Sequence, residues 1–346
     1  MATFNILHLS DFHFAAQPYT GNVLSQGWRR KVHSIFTQNA GRAPPAHNPH
    51  RADAIARLAF NRADRLQRAG DRLDVLIVSG DLATTGIDVD LKAAHDYLDA
   101  PPHSAWYRQP PPGDTHGPAH ATLKNIAHNV FIVPGNHDRF KNVSCDAGGN
   151  LFDQIFKDYW NNVQYCVRGE VISKTDPKTG KIEQFALVGA DFCLRNNSDA
   201  LIPLLHKGRG CVYQDISDEL ERKTQALRGG AGMVSIWVTH FPPEGSIAWK
   251  EVLLDYHLVK QASLNSSVSL FLSGHIHKKD EFRSISGAPV WSAGSATQYS
   301  EPNNNWAHFI ELEIDGGKLL KATRTNYAWN RARLKRRFEE DSIDRL

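Results

Sequence analysis

The feature that most constrains the fold is a series of five short apolar segments, each followed at once by polar residues. They are FNILHLSDFH, LDVLIVSGD, NVFIVPGNHD, MVSIWVTH and VSLFLSGHIH, beginning at residues 4, 73, 129, 233 and 268. Continuous apolar runs of this length predict strands buried on both faces of a sheet. In open α/β sheets, ligands bind beyond the carboxyl ends of the strands, which is where each polar cluster lies.

Segments with helical periodicity separate these strands, which indicates an α/β fold with parallel pairing in the first half. They include RADAIARLAFNRADRLQRAG, DVDLKAAHDYLDA and DISDELERKTQALRGG. The later segments APVWSAGS, WAHFIELEID and KLLKATRTNY predict successive strands that add antiparallel pairing. We expect one domain over residues 1–325, with insertions near 14–50, 100–128 and 191–212 that shape a ligand pocket. Residues 326–346 form a charged extension, in which a short helix is predicted.

The composition is that of an ordinary globular protein. The chain has 346 residues, 41% of them hydrophobic, and a formal net charge of +3, which neither demands nucleic acid nor excludes an anionic ligand. Four cysteines without CxxC spacing predict reduced thiols in a cytoplasmic protein. The N-terminal segment enters a strand directly, so we expect no signal peptide, and no apolar run is long enough to span a bilayer.

Two histidines one residue apart end the last of the five apolar segments. His275 and His277 would point the same way if the backbone stayed extended past Gly274. The glycine would let the backbone approach a neighbouring group closely. Taken alone, the stretch is better explained by two surface histidines on a loop.

The polar clusters together supply a set of side chains suited to binding metal ions. The set is Asp11, His13, Asp81, Asn136, His137, His240, His275 and His277. Carboxylate, imidazole and amide donors without a thiolate suit Mn, Fe, Zn or Co better than Ca. There are too many donors for one four-coordinate ion, so the set predicts a pair of ions about 3.5–4 Å apart, bridged by a carboxylate.

The motif order D-x-H, G-D, G-N-H-D, a single H and G-H-x-H resembles that of the calcineurin-like metallophosphoesterases. In this chain the motifs are DFH, GD, GNHD, TH and GHIH, and the resemblance spans residues 3 to about 313. It implies a four-layered αββα sandwich of two mixed sheets, with the dinuclear metal site at the carboxyl edge of the strands. It also implies the ligand sets, which are Asp11, His13 and His277 for the first ion, and Asn136, His240 and His275 for the second, with Asp81 bridging both.

The resemblance implies a hydrolase that cleaves phosphoesters. Two ions would neutralise the phosphoester and lower the pKa of a bound water, so that hydroxide attacks phosphorus in line with the leaving oxygen. His137 would bind the phosphate and protonate the leaving oxygen, and Asp138 would orient a neighbouring histidine. Mn²⁺ is favoured as the metal, with Fe, Zn or Co as alternatives.

The details of the motifs favour phosphodiester substrates. Protein serine/threonine phosphatases of this superfamily carry aspartate and arginine soon after G-D, where this chain has GDLATTGID. GNHD and GHxH are common in the diester-cleaving branches, so we expect a phosphodiesterase acting on cyclic or linear nucleotides. The alternatives are a DNA or RNA nuclease, a phosphomonoesterase and a non-catalytic interaction module.

Several residues near the motifs keep more than one interpretation. Arg139, Lys278 and Lys279 are candidate phosphate contacts, with solvated side chains as the alternative. The stretch RTNYAWNRARLKRRF mixes basic and aromatic residues, which suits either a nucleic-acid backbone or a solvated face. His8 lies in the middle of a strand and is expected in the core.

The metal ligands also have ordinary structural alternatives. These are a strand-end cap for Asp11 and His13, a turn residue for Asp81 and Asn136, and a cap before FPP for His240.

Overall fold

The computed structural model of the chain describes most of the predicted core elements. It covers residues 1–15, 49–84, 86, 88–99, 122–139, 150–161, 163–193, 210–229, 232–243, 253–283, 286–297, 305–330 and 337–346. Most of each predicted insertion lies outside these residues, so the role of the insertions in shaping a pocket stays a prediction.

The strands of the described residues form two six-stranded sheets. They are β1 (Ala2–Leu9), β2 (Leu73–Ser79), β3 (Ala127–Val133), β4 (Val167–Thr175), β5 (Ile182–Ala190), β6 (Val234–Thr239), β7 (Leu270–Ser273), β8 (Asp280–Arg283), β9 (Pro289–Ser292), β10 (Trp306–Asp315), β11 (Lys318–Asn330) and β12 (Arg337–Arg345). The first sheet has the order β12-β11-β10-β1-β2-β3, and the second has the order β4-β5-β6-β7-β9-β8.

Helices cover the outer faces of both sheets. They are α1 (Pro49–Arg68), α2 (Asp88–Asp99), α3 (Leu123–Ile126), α4 (Asn136–Arg139), α5 (Asn150–Ile155), α6 (Gln214–Arg228) and α7 (Tyr256–Asn265). Helix α1 lies against the first sheet, whereas α6 packs on β4 and β5 of the second and contacts α7. The sheets face each other, with the Phe4 and Phe185 rings in edge contact at 5.0 Å. The four-layered αββα sandwich is therefore confirmed. Among the described residues, no helix has both the length and the apolar character needed to cross a bilayer.

Strand directions follow the predicted pattern with one difference. β1, β2 and β3 are parallel, as are β5, β6 and β7, and β10 and β11 add antiparallel pairs. The segment APVWSAGS was predicted to add antiparallel pairing. It forms β9, which pairs in parallel with β7 and antiparallel with β8. Because the parallel strands of both sheets end at one edge, their polar ends come together there.

Residues Arg337–Arg345 of the charged extension form a strand where the sequence predicted a short helix, so that prediction is wrong. β12 lies at the edge of the first sheet and pairs along β11. Phe338 is 6% exposed and its ring contacts Trp329 at 5.5 Å. Arg324, almost fully buried on β11, is paired with Asp344 of β12 at 2.7 Å. The pairing surface that β11 offers outweighs the helical tendency of a run rich in Lys, Arg and Glu.

The aromatic residues of the basic stretch face α1 instead of solvent. The guanidinium of Arg62 lies 5.0 Å from the Tyr327 ring centroid, and that of Arg51 lies 5.9 Å from the Trp329 centroid. Tyr327 is only 6% exposed. These rings already stack against arginines, so they do not provide the base-stacking surface that the sequence suggested.

His8 is packed in the core, as predicted. Its side chain is fully buried on β1, and Nε2 lies 2.9 Å from Ser79 Oγ. Burial and the charge of Arg324 lower the pKa of His8 to about 3, so the ring is neutral.

Candidate metal centre

The structure brings all eight predicted site residues together where the strands of the two sheets end. Asp11 and His13 follow β1, Asp81 follows β2, Asn136 and His137 begin α4 after β3, His240 follows β6, and His275 and His277 follow β7. β1, β2 and β3 belong to the first sheet, and β6 and β7 to the second. The site therefore lies across the junction of the two sheets.

A first group combines Asp11, His13, Asp81 and His277. One donor atom from each lies within 4.8 Å of the others. The Nε2 atoms of His13 and His277 are 3.2 Å apart, and His277 Nε2 is 3.1 Å from Asp11 Oδ1. Two imidazole nitrogens and two carboxylates thus converge on one point.

A second group combines Asn136, His240, His275 and Asp81. Asn136 Oδ1 lies 3.0 Å from His240 Nε2 and 3.1 Å from His275 Nδ1. His240 Nε2 is 3.3 Å from Asp81 Oδ2. Asp81 belongs to both groups, and each group takes side chains from both sheets.

Five of these side chains are carried on left-handed backbone. The φ angles are 53° at Asp11, 53° at His13, 52° at Asp81, 69° at His275 and 53° at His277. Residues with a Cβ rarely adopt this conformation, and such strain concentrates at functional sites. The sequence argument required an extended backbone after Gly274, but the backbone there is left-handed. His275 and His277 instead reach different groups through successive bends of the chain.

Three glycines allow the chain segments of the site to approach closely. A Cβ at Gly80 would lie 2.5 Å from His240 Nδ1, and one at Gly274 would lie 2.7 Å from Asp11 Oδ2. A Cβ at Gly135 would overlap the carboxylate of Asp81. The predicted close approach at Gly274 is confirmed, and Gly80 and Gly135 serve the same purpose.

The protonation states favour a cation. Burial alone would raise the pKa of Asp81, but the charges of His240 and His137 hold it well below its ordinary value. Burial lowers the pKa of His13 and of His275 well below the ordinary value, and neighbouring histidines lower both further. An ionised carboxylate and neutral imidazoles are the forms that bind metal.

Two further observations concern the fit of a metal. Asp11 Oδ1 is buried and accepts no hydrogen bond from the described residues. Its lone pairs are therefore available to bind a cation. Burial lowers the pKa of His240, but Asp81 outweighs it and raises that pKa to about 9. A cation between Asp81 and His240 would displace this proton, which couples metal binding to pH. The nitrogen and oxygen donors fit a transition-metal ion.

His137 is oriented by main-chain groups. Its backbone N–H donates to Asp81 Oδ1 at 2.8 Å, and Nδ1 lies 2.8 Å from the carbonyl oxygen of Thr84. A carbonyl carries no hydrogen, so Nδ1 must be the donor, and Nε2 is the nitrogen that can exchange a proton with a substrate. Sequence analysis missed Thr84, although threonines replace acidic and basic residues at this place in GDLATTGID.

Asp138 connects two of the segments that carry the site. Its carboxylate accepts the backbone N–H of Leu82, Ala83 and Gly135 at 3.2, 2.8 and 2.9 Å. The expected bond to a neighbouring histidine is replaced by these main-chain bonds. Burial and the charge of Asp81 raise the pKa of Asp138 to about 7, while the three amides oppose that shift.

Two of the three candidate phosphate contacts, Arg139 and Lys279, have other partners. Arg139 is nearly buried, with Nε 2.7 Å from Asp191 and a terminal nitrogen 2.8 Å from Asp153. Lys279 donates to Ser342 Oγ at 2.8 Å and lies over the Trp306 ring. These contacts favour structural roles for both residues.

Comparisons with known proteins identify the family of the chain. A model of the calcineurin-like phosphoesterase family matches residues 4–279. A probable cyclic nucleotide phosphodiesterase from Vesicomyosocius okutanii subsp. Calyptogena okutanii (strain HA) is 23% identical over 247 residues, covering 71% of this chain and 80% of that protein.

Two crystal structures show the same fold. A dimetal phosphatase from Danio rerio matches with a TM-score of 0.51 at 13% identity, over 93% of this chain and 95% of that one. The calcineurin-like phosphoesterase YfkN from Bacillus subtilis matches with a TM-score of 0.50 at 14% identity, over 94% and 90%.

Proposed function

The chain belongs to the calcineurin-like phosphoesterase family, and from this premise we propose that it hydrolyses nucleotide phosphodiesters, cyclic or linear, with the help of two metal ions. The observation that carries the proposal is the position of Asp81 in both side-chain groups. The diester preference rests on the GNHD and GHIH motifs and on the name of the relative from V. okutanii.

The two groups divide the proposed ligands. Asp11, His13 and His277 would hold the first ion with Asp81, and the remaining predicted ligands, Asn136, His240 and His275, would hold the second with the same carboxylate. When bound, the ions would supply charge neutralisation at the phosphoester and an activated water. We propose Mn²⁺, with Fe, Zn or Co as alternatives that the donor chemistry also accepts.

His137 is the proposed general acid. The Thr84 carbonyl holds Nδ1–H, so the proton passed to the leaving oxygen would come from Nε2 of the doubly protonated ring, which then returns to its neutral form. The backbone bond from His137 to Asp81 sets this ring beside the bridging carboxylate. A positioned acid of this type accelerates a reaction by about 10²- to 10⁴-fold.

A cytoplasmic location is also proposed. It rests on the cysteine spacing, and Cys166, Cys193 and Cys211 form no disulfide within the described residues. Cys145 lies outside the described residues.

The substrate class can be tested with two chromogenic esters. In the presence of Mn²⁺, we expect the full chain to cleave bis-p-nitrophenyl phosphate faster than p-nitrophenyl phosphate, with His137→Ala as the matched control. A panel of cyclic and linear nucleotides would then identify the natural diester. Faster monoester cleavage would place the protein among the phosphatases, and cleavage of neither ester with metal bound would indicate a non-catalytic interaction module.

A nuclease is the second candidate, because the basic segment between β11 and β12 is attached at the metal edge. At the ends of this segment, Asn330 of β11 pairs with Arg337 of β12. Nearby, Ala328 pairs with Trp306, and the backbone N–H of Trp306 donates to the carbonyl of Ser295 beside the site. The basic residues Arg331, Arg333, Lys335 and Arg336 themselves lie outside the described residues.

If the protein is a nuclease, replacing these four residues with glutamine should weaken DNA binding and flatten its salt dependence. Each lost contact to a phosphate of double-stranded DNA reduces the slope of log K against log salt by about 0.9. Deleting residues 326–346 would be a poorer experiment, since it removes β12. The control replaces Lys178, Lys181, Lys318 and Lys321, which lie at the opposite edge. Equal binding by both variants would count against a nuclease.

A further inference from the structure

The segment that carries Asp11 and His13 has an unusual backbone. Both residues have φ of 53°, on either side of Phe12, which is 1% exposed and stacks on Phe14 at 5.5 Å. Left-handed backbone is unfavourable for residues with a Cβ, so the surrounding structure must hold it. The angle at each position also sets the direction of the side chain, and so the place of its donor atom.

Two hydroxyls from the segment after β9 hold the first part of this backbone. Ser295 Oγ donates to the carbonyl of Asp11 at 2.8 Å, across 284 positions of sequence. Thr297 Oγ1 donates to the carbonyl of Phe12 through a short hydrogen bond. Both hydroxyl-bearing residues are fully buried.

A third hydroxyl comes from the other side. Thr84 Oγ1 donates to the carbonyl of His13 at 2.6 Å, and its own N–H donates to the carbonyl of Phe14 at 2.7 Å. Thr84 is fully buried, and its carbonyl accepts Nδ1–H of His137. One residue therefore contacts both a ligand segment and the proposed acid, through different atoms.

We propose that the hydroxyls of Thr84, Ser295 and Thr297, here called the hydroxyl clamp, are positioning groups for the first metal ion. The inference rests on the proposed function. Three consecutive carbonyls are bonded by three buried hydroxyls, so the peptide planes between Asp11 and His13 cannot rotate without leaving a buried polar group unpaired. The clamp thereby keeps Asp11 Oδ1 and His13 Nε2 3.9 Å apart, so that both atoms can bind the same ion.

The test compares two changes at Thr84. Thr84→Val keeps the shape of the side chain and removes the hydroxyl, whereas Thr84→Ser keeps the hydroxyl. Calorimetric titration of the metal-free full chain with Mn²⁺ should show one binding step weakened about 10- to 100-fold in Thr84→Val, the usual effect of losing a partner that supports a ligand. Thr84→Ser should bind close to wild type, and the second step should change less.

A matched control separates positioning from general stability. Thr224 is also fully buried, and its hydroxyl donates to the Leu220 carbonyl inside α6, away from the site. Thr224→Val should lower the urea midpoint of the metal-free protein but bind Mn²⁺ as the wild type does.

The outcomes distinguish the inference from the proposed function. Wild-type Mn²⁺ affinity in folded Thr84→Val, Ser295→Ala and Thr297→Val would overturn the clamp and leave the proposed function standing. A wild-type chain that binds none of Mn²⁺, Fe²⁺, Zn²⁺ and Co²⁺ would overturn the proposed function itself. If Thr84→Val does not fold, the same comparison of Thr297→Val with Thr297→Ser decides the question.

Discussion

Replacing Asp81 with asparagine should abolish hydrolysis and remove bound metal at the same time. Asp81 is 1% exposed and lies in both side-chain groups, so its charge is shared by both proposed ions. Asparagine keeps the shape but loses the negative charge that offsets two dications. Turnover should fall by more than about 100-fold, the upper range for partners that only support a ligand.

The control for this change lies on β2, the strand that Asp81 follows. Asp74 is also buried, at the other end of β2, where it accepts the N–H of Asn5 and pairs with Lys174. Asp74→Asn should lower stability while metal content, measured by mass spectrometry after expression in Mn²⁺-supplemented medium, stays normal. An Asp81→Asn protein with normal turnover would refute the proposed site.

Replacing His137 with alanine should lower turnover while both ions remain bound. The ring of His137 is in neither group, and its bond to Asp81 comes from the backbone, which alanine keeps. The expected loss in turnover is about 10²- to 10⁴-fold, or about 3 to 5 kcal/mol of transition-state stabilisation. Metal content and turnover at saturating substrate check the two parts separately.

The leaving group makes this prediction sharper. p-Nitrophenolate leaves without much help from an acid, whereas a ribose hydroxyl requires a proton. The loss in His137→Ala should therefore be larger for a cyclic nucleotide than for bis-p-nitrophenyl phosphate. Equal losses would mean that His137 binds the phosphate but does not protonate the leaving oxygen. His95→Ala, on helix α2 outside the site, is the control, and loss of metal from His137→Ala would contradict its assignment.

The strand ends and their polar residues could be predicted because they depend on local patterns. Apolar runs identify buried strands, and the parallel strands of one sheet must end at one edge, so the sequence alone places Asp11, Asp81 and Asn136 together. That His240 joins them from the second sheet was implied only by the family resemblance. Gly274 was predictable for the same reason, since a glycine beside a cluster indicates close approach.

The left-handed backbone and the supporting hydroxyls could not be predicted in this way. The sign of φ at His275 and His277 depends on contacts such as the bond from the His275 N–H to Asp11 Oδ2, 264 positions away. Ser295 and Thr84 are ordinary residues in the sequence, and only the fold brings them to the Asp11 segment. The charged sequence of β12 predicted a helix, because its pairing with β11 cannot be recognised from local residues alone.

The division of each group between the two sheets has a consequence for the folding equilibrium. The first sheet is built from the two ends of the chain and the second from its middle, so each group joins two parts of the protein that lie far apart in the sequence. An ion held by Asp11 and His277, or by Asn136 and His240, would act as a cross-link between the halves of the sandwich. Metal supply would then govern the stability of the folded protein as well as its chemistry. A ligand at 100 times its dissociation constant adds about 2.7 kcal/mol to the free energy of unfolding.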